Sequence, residues 1–245
     1  MPGPKNWFRP TTFVWLSKLN DSATKSLHAL VELDSKADTR PLHEVIDLIR
    51  DKNPLALSSV ADAWLLYAFA ERDPAAASKA LIALGENPAS LGPIADVRFN
   101  RPFIQGIIAN IAKDNVRAQA AFMAARTEQE KIVQAQPNYG PALCVLALTD
   151  AALARKEQAL REGRRAMELC PIEKDATRGL AMVKYLAMIA AWVGEKDLAC
   201  EQLAIAIRKP GDVSYGQLKL MPFWDPLRGD PRFEKIVGSL APKEN

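Results

Sequence analysis

RPFIQGIIANIAKDNVRAQAAFMAA, residues 101–125, holds the pattern from which the rest of the chain can be read. Four and seven residues after Ala118 stand Phe122 and Ala125, offsets that keep all three on one helical face. Twelve residues before it stands Gly106, an offset that reaches back over a turn into a preceding helix. The stretch is therefore a pair of helices with small residues where they cross. Small side chains let the backbones approach, and larger ones fill the gaps around the crossing.

The same register recurs along the chain. Ala77, Ala118, Ala159 and Ala199 follow one another at 41, 41 and 40 residues. Leu81, Phe122, Gly163 and Leu203 come four later; Leu84, Ala125, Ala166 and Ala206 come seven later; Leu65, Gly106, Ala147 and Ala187 precede by twelve. One such pair cannot bury its apolar face alone, so neighbours must stack on it. Upstream, Leu30 with Leu42, Ile46 and Ile49 suggests a fifth, degenerate pair.

Alanine- and leucine-rich segments of helical spacing run from about residue 21 to 208, punctuated by Pro41, Asn53-Pro54, Asp73-Pro74, Asn87-Pro88, Asn138 to Pro141, Pro171 and Pro210-Gly211. No run alternates at period two, so no strand is expected. The 245 residues carry 32 basic and 29 acidic side chains, a net charge of +3 that gives no electrostatic case for nucleic acid or a membrane surface as partner. No stretch reaches the length of apolar residues that a membrane helix needs, and Met1 to Leu16 is too interrupted for a secretory signal. Cys144, Cys170 and Cys200 are odd in number and lie in helical patterns without zinc-site spacing, so they are expected as buried apolar residues in a reducing, cytoplasmic setting.

The units resemble the tetratricopeptide repeat, whose pattern includes a Leu-Gly-like pair, then Ala-x3-Phe and a closing proline. Gly106 with Ala118-x3-Phe122 matches it best; Leu146-Ala147, Ala159, Ala166 and Pro171 match in part, as do Ala187, Ala199, Leu203, Ala206 and Pro210. The resemblance implies an all-α, right-handed α-solenoid of antiparallel helix pairs with a C-terminal helical cap. It divides the chain into an N-terminal aromatic segment (1–20), a degenerate helix pair (21–54), helical repeats (55–211) and a capping segment (212–245). In that cap, Asp225-Pro226 and Asp230-Pro231 each read as an N-cap before proline. Phe223, Trp224, Phe233, Ile236, Val237 and Leu240 would cover the solenoid's end. The tail YGQLKLMPFWDPLRGDPRFEKIVGSL is similar to those that close bacterial repeat modules attached to kinases or winged-helix regulators. This implies a stand-alone scaffold or the recognition part of a bacterial signalling protein.

Such solenoids bind peptides on the concave surface of the first helices. In the register above, the resemblance places a partner groove at Asp62, Leu66 and Phe69; Asn100, Phe103, Ile107 and Asn110; Cys144 and Leu148; and Lys184 and Met188. With only Lys184 basic, the groove suits a hydrophobic helix or apolar extended segment, with Asn100 and Asn110 available to its backbone. The chain's own N-terminus is the alternative occupant. No catalytic residue, cofactor or metal is expected: His28 and His43 are the only histidines, and no nucleophile elbow or metalloprotease motif appears. Arg155 to Arg165 reads as a solvated charged helix face. The rival functions are a hydrolase using a cleft in the solenoid and a self-assembling element, a homodimer joined through Trp7, Phe8, Phe13 and Trp15.

Overall fold

The computed structural model describes residues 24–92, 97–208 and 213–242. The N-terminal aromatic segment lies outside them. Helices packed in adjacent pairs make up the molecule, and the only β pairing among the described residues is an isolated bridge between Ala89 and Phe99. The pairs are α1 (24–36) with α2 (Arg40–Lys52), α3 (Ala61–Ala70) with α4 (Pro74–Leu84), α5 (Arg101–Ile111) with α6 (Asn115–Ala135), α7 (Gly140–Ala152) with α8 (Lys156–Leu169), and α9 (Ala176–Trp192) with α10 (Lys196–Ala206). A 3-10 helix, Pro54–Val60, leads into α3. After α10 come α11 (Tyr215–Leu220), a second 3-10 helix (Pro222–Leu227) and α12 (Pro231–Ser239).

One local device makes the pairs. Ala37, Arg72, Lys113, Ala154 and Gly194 stand at the turns between partner helices with φ of 55°, 56°, 59°, 58° and 83°. The last four recur at the sequence period. At each, the residue after the left-handed one donates its N–H to a carbonyl five residues back: Asp73 to Ala68, Asp114 to Ala109, Arg155 to Asp150 and Glu195 to Ala190. These are Schellman closures, which use up the last carbonyls of the first helix. Two of the donors then serve the second helix: Asp73 caps Ala75 and Ala76, and Asp114 caps Arg117. One three-residue turn thus ends one helix and begins the next.

The crossing residues lie where the spacing puts them. Ala77, Ala118, Ala159 and Ala199 are all buried, as are Leu65, Gly106, Ala147 and Ala187 opposite them. The Gly106–Phe122 contact shows why size matters. A methyl group on Gly106 would stand 2.5 to 2.7 Å from three atoms of the Phe122 ring, which is itself buried beside Phe103. Gly106→Ala is therefore expected to destabilise by about 1–3 kcal/mol, through overpacking, in chemical denaturation.

Two expectations about the tail are corrected. Asp230 does cap α12, accepting from Arg232 N–H, but Asp225 caps nothing: it lies within the second 3-10 helix and pairs with Arg72 and Arg228. Proline sets φ for a 3-10 turn as readily as for a first α-turn, so Asp-Pro alone cannot distinguish the two. The cap also divides its labour. Phe233 and Val237 of α12 are buried where α12 packs on α10, whereas Phe223 and Trp224 turn inward against the first helices.

Candidate functional site

The expected groove face begins with α7 and α9, whose sequences are apolar on nearly every side. Such helices must be covered all round. Gly140 through Ala151 and Gly179 through Ala191 are indeed buried without interruption. Two of the chain's own segments provide the cover on the groove side. The α4–α5 connection sets Phe99 against Phe103 (centroids 4.8 Å) and Tyr185 (6.1 Å). The C-terminal segment 213–227 provides the rest, laying Phe223 against Phe69 (6.0 Å) and Trp192 (6.2 Å).

Segment 213–227 is pinned at both ends. Ser214 donates its hydroxyl to Asp34 of α1 at 2.7 Å, and the Gln217 amide donates to the same carboxylate oxygen at 3.2 Å. Gly216 packs directly on the Leu33 carbonyl. Farther along, the Arg72 guanidinium donates to Leu220 O at 2.6 Å and to Asp225 at 2.7 Å. The Trp192 indole N–H donates to Phe223 O at 2.8 Å. Residues some 180 positions apart thus meet, and residues 214–217 reach the first helix pair.

The eleven expected groove residues consequently part company. Phe69, Phe103, Ile107, Cys144, Leu148, Lys184 and Met188 are all buried. Leu66, Phe103, Leu148, Lys184 and Met188 line a small void of about 20 Å³, roughly one water in size, with Met221, Phe223 and Trp224 on its other side. The Lys184 ammonium lies 4.6 Å above the Tyr185 ring. Asp62 accepts the Ser90 N–H at 3.0 Å, and its partial burial pushes the carboxyl above the ordinary range while that hydrogen bond opposes the shift. Asn100 serves the fold: it caps α5 through Phe103 N–H and donates its amide to Ala125 O. The face expected to hold a ligand is filled by residues 213–227; the N-terminus, the other occupant expected, lies outside the described residues.

Asn110 is exposed, and the buried Ile107 borders the same open space. They line a cleft of about 430 Å³ at the C-terminal ends of α3, α5, α7 and α9, walled on one side by residues 222–226. Its apolar part is Ile107, Ile111, Ala151, Ala152, Trp192, Pro222, Phe223 and Pro226; its polar rim is Arg72, Asn110, Lys113 and Asp225. Arg72 and Asp225 are committed to each other, and partial burial lowers the Arg72 pKa against the pull of that carboxylate. The Asn110 amide and the Lys113 ammonium are spent on no hydrogen bond or ion pair among the described residues. Sequence reasoning missed Arg72, Lys113, Trp192 and the 222–226 wall. The first two were within reach, because both stand five residues before a crossing alanine, at the mouth end of every first helix.

Among the described residues no helix is long and apolar enough to cross a membrane. The three cysteines are buried, and none is in a disulfide among the described residues. Compared with family models, with curated proteins and with solved structures, the chain matches none.

Proposed function

We propose that the chain is a tetratricopeptide-like right-handed solenoid that works by binding, without catalysis, and that its ligand is a short apolar protein segment seated in the cleft around Trp192. The carrying observation is the cleft itself: an open apolar floor beside two hydrogen-bond donors, Asn110 and Lys113, that find no partner among the described residues. The 41-41-40 recurrence of the left-handed turn, and the small residues at each crossing, support the repeat reading. The free buried cysteines suit a reducing compartment such as the cytoplasm.

The chemistry of the ligand follows from the site's electrostatics. Four helices present their C-terminal, electronegative ends here, which disfavours a carboxylate and leaves Lys113 balancing the end of its own helix. An apolar segment whose backbone carbonyls accept from Asn110 and Lys113 meets both demands. Peptides selected from a displayed library against the folded chain should be apolar. They should bind Ala152→Arg, which fills the floor with a charged side chain, at least about tenfold more weakly, equivalent to roughly 1.4 kcal/mol. Equal binding by an Ala152→Arg protein of unchanged helicity and melting would remove the cleft from the account.

A further inference from the structure

The charged face expected at Arg155 to Arg165 hides one side chain that does not reach solvent freely. Glu162 of α8 leans toward Asp150 near the end of α7, a carboxylate with no exposed surface at all. Asp150 Oδ1 accepts from Arg126 Nε of α6 at 2.6 Å, with Arg155 Nη1 at 3.7 Å. Its other oxygen, Oδ2, and Glu162 Oε2 are both buried, and among the described residues neither receives an N–H or O–H. A fully buried carboxylate and a half-buried one, whose inaccessible oxygens find no other donor among the described residues, can satisfy each other only with a proton between them.

We propose that the Glu162 carboxyl keeps its proton in the fold and donates it to Asp150, and that its release loosens the packing of α8 against α6 and α7, so that the fold weakens as pH rises from mildly acidic to neutral. The groups facing the pair are few. From α6 come Arg126 and Glu130, themselves joined at 2.6 Å; from the α7–α8 turn comes Arg155; from α8 itself comes Arg161. The α9 residues nearest this part of α8, Leu186 and Ile189 against Gly163, carry no charge. With the proton in place, Arg126 and Arg155 balance Asp150 and Glu130. Without it, a second buried negative charge stands beside Asp150.

Burial first, and the Asp150 charge and hydrogen bond next, push the Glu162 carboxyl up from 4.5 to about 7. The folded state then holds a proton that the unfolded state has already released. Stability therefore falls as pH rises from about 4.5 to about 7 and levels off above. Glu162→Gln mimics the protonated form, since its amide can donate to Asp150 Oδ2 at any pH.

Two measurements test this. Wild type should lose roughly 3–6 °C in melting temperature between about pH 5 and pH 8 relative to Glu162→Gln, with His28 and His43 common to both proteins and cancelling in the comparison. Carboxyl ¹³C titration of wild type should show one of the two groups ionising near neutrality. Parallel melting profiles for the two proteins, or both carboxyls ionising below about pH 5, overturn the proposal. The wild-type titration decides the matter even if the variant fails to fold.

Discussion

Gly216→Ala is expected to lower the unfolding free energy by about 3 kcal/mol, and to do so by detaching the C-terminal segment from α1. An added methyl group would fall inside the Leu33 carbonyl oxygen, 2.7 Å from its carbonyl carbon and 3.2 Å from Asp34 Cα. All three are backbone atoms of a helix, so no rotamer change can relieve the clash. Either α11 shifts or the Ser214–Asp34 and Gln217–Asp34 hydrogen bonds break. Hydrogen exchange separates this local effect from general loss of stability. Amides of 215–220 should lose protection first, while those of α7 keep theirs.

Phe103→Ala is the second large effect, with an expected cost of about 3–5 kcal/mol. Phe103 is 1% exposed and stands among three other rings: Phe99, Phe122 and Trp192 at 4.8, 5.6 and 6.4 Å. Its removal opens a cavity where the α4–α5 connection, the α5–α6 pair and α9 meet, and none of these can close in without moving the others. Against the 5–15 kcal/mol typical of a whole domain, this is a large share of the total. The denaturation midpoint should fall accordingly, with the slope of the transition unchanged.

The helix pairs were legible because their signal is periodic. Ala77, Ala118, Ala159 and Ala199 set the crossing positions, and the structure buries every one. The α1–α2 pair was legible from Leu30, Leu42, Ile46 and Ile49 alone, three of which are buried. What covers the groove was not, since a contact between Gly216 and Leu33 leaves no local pattern in either segment. A clue nonetheless stood in α9: residues 180–191, LAMVKYLAMIAA, carry Lys184 as their one charge and are otherwise apolar around the helix, which leaves little side for water. An open concave surface would have required polar residues there. The Asp150–Glu162 pair escaped for a different reason. Glu162 sits in a run of arginines and glutamates that reads as solvated, and only the three-dimensional meeting with α7 takes it out of solvent.

The central claim is that residues 213–227 occupy the face on which a ligand was expected, leaving the mouth of the first helices as the open surface. A nuclear Overhauser contact between the α-protons of Gly216 and Asp34 tests it most directly, because these residues touch only if the C-terminal segment crosses to α1. The account predicts this cross-peak in the assigned spectrum of the full chain, and predicts that it stays intramolecular when labelled and unlabelled protein are mixed. Its absence, with both residues assigned, would contradict the closure and return the whole first-helix face to the search for a binding site.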